Sequence, residues 1–574
     1  MKRLLKVGRF LLLPVMIAVG LLYWKFQAPE PPELQAFING NVLTVNSTND
    51  RAEALLVEGE KIIAVGTTVE ITSLIQAHES KRTVVVHDLA GKTLAPGIID
   101  AHSHFPGSGV YQFAADLNAP PIGDIASIDE MLAVLRQLDS TTEEGQWLFG
   151  LGYDDSQMAD GRHPFREELD AISTTRPIFI LHISGHMGVA NSLAMERMGI
   201  AKDTLAPSGG DYVKNSEGEL TGLILETAVF PFLHKATDFS VSEIWDVITT
   251  ASLDYARQGI TTAQNGAADK RYATGLKWAS RLGAVSQRLI IWPLHDALSP
   301  SLLRSLKKDT TDRYEVGALK IVADGSIQGY TGYLKEPYHV TPDGQESNFR
   351  GHPVIAKGEL EALVKRYFSA GQTLAIHGNG DASIDDILFA VESAQTQYPD
   401  KQRRTVLIHA QMARKDQLLK MKELGVTPSF FSAHTYYWGD RHRDLFMGLE
   451  RAQGMSPARS AQKLGLRYSL HLDTPVVPMN TMRLLWSAVN RTTSSGRTLG
   501  RSERISREHA LRAITIDAAY QIYKEKELGS IEEGKLADLV IFNQDPTDKS
   551  VELLDTQVVA TYVGGIEIYP NRRL

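Results

Sequence analysis

The segment Leu94-Ala-Pro-Gly-Ile-Ile-Asp-Ala-His-Ser-His104 ends an apolar run on two histidines with one residue between them. On an extended strand, residues two apart face the same way, so His102 and His104 can present both imidazoles to one cation. An isolated His-x-His reads equally well as two polar residues at a strand end. Four further segments repeat the arrangement of an apolar run that stops at a polar donor: Gly317-Ala-Leu-Lys-Ile-Val-Ala-Asp-Gly325, Thr373-Leu-Ala-Ile-His377-Gly, Thr405-Val-Leu-Ile-His409-Ala and Tyr468-Ser-Leu-His-Leu-Asp473-Thr-Pro. Zinc and similar ions accept imidazole nitrogen and carboxylate oxygen, and a hydrolytic site needs these plus an open position for water. The ligand set is complete in kind.

Composition narrows what can surround such a site. The chain has 574 residues, 43% hydrophobic and 22% charged, enough to bury a large core. Its net charge of −8 gives no general attraction to nucleic acid, and no long basic block follows the extreme N-terminus. With no cysteine, disulfides, thiolate metal sites, cysteine nucleophiles and a lipidated cysteine anchor are excluded. Any metal must be held by His, Asp, Glu or a modified Lys.

Lys2, Arg3, Lys6 and Arg9 precede the apolar stretch Phe10 to Trp24, and the Pro-rich Ala28-Pro-Glu-Pro-Pro-Glu33 follows. This is the grammar of an export signal or a membrane anchor, and both fit. Cleavage sites of the small-x-small kind are poor here, which favours an uncleaved anchor at a bacterial inner membrane, basic end inside and body exported. A periplasmic or secreted body after cleavage is the alternative.

The elements that would carry the donors follow from periodicity. Short Gly- and Asn-bounded runs after Leu34, such as Gln35-Ala-Phe-Ile and Thr83-Val-Val-Val, match Lys535-Leu-Ala-Asp-Leu-Val-Ile-Phe542 and Val558-Val-Ala-Thr-Tyr-Val563 near the far end. Since chain ends often lie close together, one small β domain built from both ends is expected. Between them, eight apolar runs alternate with several helical stretches, as Glu359 to Ala370 and Arg414 to Leu424, and this predicts an α/β chain with a (β/α)₈ barrel. Barrel sites lie at the C-terminal strand ends, where His102, His104, His377, His409 and Asp473 fall. Phe105 to Gln258 interrupts the alternation with strand-like runs of its own and reads as a subdomain inserted after the first strand, over the barrel mouth. The expected division is 1–33 anchor and linker, 34–90 β domain, 91–526 barrel with the insertion at about 105–258, and 527–574 the rest of the β domain, a small sandwich.

On these pieces the chain resembles the amidohydrolase superfamily, within it amidohydrolase family 3, the YtcJ-like branch that includes N-substituted formamide deformylases. The matching motifs are Ala95-Pro-Gly-Ile-Ile-Asp-Ala-His-Ser-His104, Gly185-His-Met-Gly-Val-Ala-Asn-Ser192, Leu319-Lys-Ile-Val-Ala-Asp-Gly-Ser326, His377-Gly-Asn-Gly-Asp381, His409-Ala-Gln411, Asp473-Thr-Pro-Val476 and Gly534-Lys-Leu-Ala-Asp-Leu-Val540, spanning almost everything after the N-terminal segment. The resemblance implies a site of two divalent ions, zinc foremost: His102, His104 and Asp473 on one, His377 and His409 on the other, and Lys320, carbamylated by carbon dioxide, bridging them. A free ammonium cannot bind a cation, whereas the carbamate is anionic. The plain reading of Lys320 is a surface lysine or one paired with Asp324, but its run is otherwise apolar.

The implied chemistry is hydrolysis of a non-peptide C–N bond of a small molecule, with a metal-activated water attacking the carbonyl and Asp473 carrying its proton to the leaving group. An esterase or lactonase on the same site, and a binding protein without catalysis, are the alternatives. His186, His434, Trp438 and His471 are secondary candidates near the substrate, His471 by facing the same way as Asp473. His471-Leu472 departs from the small residues many family members carry there. A homo-oligomer is compatible with the sequence, which does not set its size.

Overall fold

The computed structural model describes residues 30–79, 82–342, 344–400 and 402–570. The apolar stretch Phe10 to Trp24 lies outside the described residues, and among the described ones no helix is long and apolar enough to cross a membrane.

Parallel strands Ile98–Ile99, Ile260–Ala268, Arg288–Pro293 and Tyr314–Val316 lie side by side in chain order. Leu319–Val322, Leu374–Gly378, Val406–His409, Thr427–Phe430 and Ser469–Leu470 continue the parallel order. Tyr314–Val316 and Leu319–Val322 are two halves of one strand parted at Gly317, and a bridge from Leu294 to Lys320 ties the second half to the preceding strand. The last strand meets the first where the Asp473 N–H donates to the His102 carbonyl at 3.1 Å and the His104 N–H to the Thr474 carbonyl at 2.7 Å. This is the eight-stranded barrel the alternation predicts, wrapped by helices such as Lys357–Ser369 and Asp381–Gln397.

Side-chain alternation sorts each strand into two layers. Leu289, Ile291, Leu374, Ile376 and Leu407 join the large apolar cluster shared with the helices, whereas Ile290, Trp292, Ala318, Ala375, Val406 and Ile408 form a separate inner one. Lys320 and His377 continue the inner parity, which is how an otherwise apolar strand buries a lysine.

One expectation needs correction. The run from Leu94 to His104 is not a single strand: Thr93–Pro96 pairs with Leu539–Phe542 in another sheet, and only Ile98–Ile99 enters the barrel. Gly97 is the pivot, and a Cβ there would stand 2.3 Å from the Thr261 side chain. His102 and His104 therefore lie beyond the strand end, and a bend rather than strand alternation aims them.

Both chain ends build the small β unit. A four-stranded sheet, Leu34–Ile38, Ala54–Glu58, Lys61–Gly66 and Val84–Asp88, faces a six-stranded one in which Asn41–Leu43 and Thr93–Pro96 join Leu539–Phe542, Val558–Val563 and Ile566–Tyr569. Phe37, Leu55 and Val57 of the first pack with Leu94, Leu539, Ile541 and Tyr562 of the second, the core of a sandwich. Between the first two barrel strands stands a further six-stranded sheet, Ala115–Asp116 through Leu220–Glu226.

Candidate metal centre

Donor atoms of His102, His104 and Asp473 all lie within 4.8 Å of one another and could hold one ion. Asp473 Oδ1 is 3.4 Å from His102 Nε2 and 3.1 Å from His104 Nε2. That oxygen is buried and has no well-aligned hydrogen-bond donor, so two imidazoles and a carboxylate converge on one point without satisfying each other. Such a donor set fits a divalent cation. His102 Nδ1 stands 3.2 Å from Gln264 Oε1, an acceptor only, which places its proton on Nδ1 and its lone pair on Nε2. Gly266 makes room for this ring: a Cβ there would be 2.1 Å from His102 Cε1. Lys320 Nζ lies 3.2 Å from His102 Nε2.

The other donors come from the neighbouring strands. His409 Nε2 is 3.9 Å from Asp473 Oδ2, and the His409 ring is 4.5 Å from that of His377. By alternation His409 would share the outward parity of Leu407; its φ of 68° turns the chain so that the ring joins the centre. Asp473 also sits in the left-handed region, at φ 60°. Non-glycine residues held there cost about 1–3 kcal/mol each, strain of the kind that clusters at functional sites. His377 Nδ1 lies 3.3 Å from Asp324 Oδ1 without a well-aligned hydrogen bond, and Nε2 lies 3.3 Å from Asn379 Nδ2.

Electrostatics follow from burial. Removal from water pushes the Lys320 ammonium down to about 7, and it holds the His102 and His409 imidazoles well below their usual range. Burial would raise Asp473, but the adjacent His104, His409 and His102 imidazoles outweigh it and keep the carboxyl well below its usual range. The His102, His377 and His409 imidazoles are thus held neutral around one ionised carboxylate, beside an amine that burial pushes down to about 7.

Among the secondary candidates, His186 stands with its ring 5.3 Å from His377, and its Nδ1 is 2.7 Å from Glu226 Oε2. His471 meets His409, with Nε2 at 3.1 Å from His409 Nδ1. His434 packs on Phe431 at 4.2 Å and shares Gln411 with His442. Trp438 is buried, and its indole N–H donates to Asp154 at 2.6 Å, so only its ring is free to line a cavity. Sequence reasoning gave no role to Gln264 and Glu226, quoted Gln411 only within a motif, and set Asp324 beside Lys320, whereas these residues contact the histidines. Gln264 ends the predicted run Gly259-Ile-Thr-Thr-Ala-Gln, and the polar end of that run was the available signal. A second metal-like group, Asp154, Asp155 and His182, was also missed.

The sequence pattern of the amidohydrolase family matches residues 85–569, and the chain belongs to that family. It is a metal-dependent hydrolase of C–N bonds outside peptides. An N-substituted formamide deformylase of Arthrobacter pascens is 31% identical over 551 residues, covering 93% of this chain and 97% of the relative. A metal-dependent hydrolase of Pyrococcus furiosus superposes with a TM-score of 0.68 at 25% identity, covering 90% of this chain and all of that one. One from Pyrococcus horikoshii OT3, 23% identical with a TM-score of 0.70 over 90% of this chain and 98% of its own, shares the fold.

Proposed function

We propose that the chain hydrolyses a formamide-type or other N-acyl bond of a small molecule, using divalent ions, zinc foremost, held by His102, His104, Asp473, His377, His409 and a carbamylated Lys320. The observation that carries this reading is the convergence of His102, His104 and Asp473 on one buried, unsatisfied oxygen beside Lys320. The likeness to the Arthrobacter deformylase supports the substrate class. Carbamylation needs a neutral amine, and burial of Lys320, which pushes it down to about 7, supplies that form near neutral pH.

Divalent ions bound here would supply a hydroxide nucleophile near neutral pH and polarise the scissile carbonyl. The protein's own part is proton transfer and orientation. Asp473, kept ionised by the surrounding imidazoles, accepts a proton at a carboxylate oxygen and passes it to the leaving nitrogen. His186, fixed through Nδ1 by Glu226, offers its other ring edge beside His377 to substrate. His434 and Trp438 line the wall after the seventh barrel strand.

The test is metal content and hydrolysis of N-formyl, N-acyl and ester substrates by the purified chain beside a His102→Ala/His104→Ala variant. About two ions per chain, lost together with amide hydrolysis, is the expected result; metal-free protein that stays inactive after divalent ions and bicarbonate overturns the reading. The basic, apolar and Pro-rich first 33 residues support an inner-membrane anchor with an exported body. Fractionation of cells carrying the intact chain tests this, and a free, shortened body would show cleavage instead.

A further inference from the structure

A chain of buried hydrogen bonds runs from His409 across the seventh and eighth barrel strands to the first. His409 Nδ1 lies 3.1 Å from His471 Nε2, and His471 Nδ1 lies 2.9 Å from Ser429 Oγ. Ser429 Oγ is 2.8 Å from Ser469 Oγ, its register partner in the parallel ladder, and Ser469 Oγ is 2.5 Å from Gln521 Oε1. The Gln521 amide donates from Nε2 to the Ala101 carbonyl at 2.7 Å, one residue before His102. All five side chains are at most 5% exposed, so water does not interrupt the series.

The direction of every proton follows from one end. A backbone carbonyl only accepts, so Gln521 faces it with Nε2 and turns Oε1 to Ser469. Ser469 is placed to donate to Ser429 Oγ at 2.8 Å or to Gln521 Oε1 at 2.5 Å; with its one hydrogen on the nearer, obligate acceptor, the proton between the hydroxyls is Ser429's, and the Ser429 oxygen accepts from His471 Nδ1–H. His471 has no carboxylate on either ring nitrogen and is a neutral ring, so its Nε2 is a lone pair that accepts from His409 Nδ1–H. His409 is left with its lone pair on Nε2, the atom that faces Asp473.

We propose that Gln521, Ser469, Ser429 and His471 are positioning residues that set the tautomer of His409 and so make its Nε2 the donor atom. This deepens the metal-site reading and rests on it for the role of His409. It also gives a use to His471, where the sequence leaves the pattern common in the family.

The experiment titrates zinc into the full chain against a chromophoric chelator for the wild type, His409→Ala, His471→Leu, His471→Gln and Ser429→Ala, and records histidine ¹⁵N shifts of the metal-free wild type and Ser429→Ala. His471→Leu is expected to weaken zinc at the His409 site about 10- to 100-fold, as loss of such partners does elsewhere. His471→Gln, whose amide oxygen can accept from Nδ1–H, should restore most of it. Ser429→Ala frees His471 to turn its proton toward His409 and should weaken zinc while moving the His409 shifts away from the Nδ1–H form. A loss in His409→Ala with wild-type affinity in both His471→Leu and Ser429→Ala overturns the relay but keeps the site. No loss in His409→Ala overturns the metal role of His409; the ¹⁵N shifts then decide the relay alone, Nδ1–H supporting it and Nε2–H overturning it.

Discussion

Two places in this molecule assemble histidines and aspartates at the C-terminal ends of parallel strands, and they differ in what their donors are already doing. In the inserted sheet, Asp154 and Asp155 follow Leu148–Tyr153 and His182 ends Ile178–His182. Asp154 accepts the Trp438 N–H at 2.6 Å and the Ser156 N–H and hydroxyl at 3.0 and 2.7 Å. In its neutral form His182 Nδ1 receives the Ser184 N–H at 3.1 Å, and when protonated it donates to Ser184 Oγ at 2.8 Å; Nε2 faces Asp155 Oδ1 at 3.1 Å. A neutral His182 must then carry its proton on Nε2, and a protonated one has no lone pair, so in neither state does Nε2 offer a ligand. In the barrel, Gln264 holds the proton of His102 on Nδ1 and frees Nε2, and Asp473 Oδ1 is left unsatisfied. Both His182 Nε2 and Asp473 Oδ1 lack a well-aligned hydrogen-bond partner, so the contrast is one of proton placement: a proton on His182 Nε2 locks one set, and a lone pair on His102 Nε2 opens the other.

The largest effect should come from emptying the open set. His102→Ala/His104→Ala is expected to abolish stoichiometric metal and bring hydrolysis to background, whereas Asp155→Ala/His182→Ala leaves the metal content of the folded fraction unchanged; equal metal loss in both, read by elemental analysis, would erase the contrast. Next comes Asp473→Asn, which keeps the shape but removes the proton acceptor: kcat should fall by about 10²–10⁴-fold in steady-state assays of an N-formyl substrate.

A smaller, purely structural effect is expected in the lock. Asp154→Ala strands the buried Trp438 N–H and should cost about 1–3 kcal/mol in denaturant unfolding, without change in bound metal. A pH slope is expected beside it. Burial pulls the His182 imidazole down, but Asp154 and Asp155 outweigh it and push it up to about 9, against 6.5 for an ordinary imidazole. Its contribution to stability is therefore complete below about 6.5 and lost as pH rises through about 9. His182→Gln should flatten urea midpoints over that interval; an unchanged slope would show that the pair does not carry the charge assigned to it.

Much of this was readable before the fold. The apolar runs placed His377, His409 and Asp473 at strand ends, and the spacing of eight such runs predicted the barrel. The run from Leu94 to His104 misled because an apolar stretch carries no mark of a change of sheet except Gly97, whose need appears only against Thr261. His409 likewise required a left-handed turn that periodicity cannot foresee. Asp154, Asp155 and His182 were passed over, and even a complete list of such residues would not have told the lock from the open set.

The sequence by itself determined the donor types, the absence of thiolate chemistry, the barrel and the family, because local periodicity and motif spacing are written along the chain. Only the tertiary structure decided which donors are free. That depends on hydrogen-bond partners such as Gln264, Trp438, Gln521 and Ser184, most of them far away in sequence, and on the rule that each proton can be spent once.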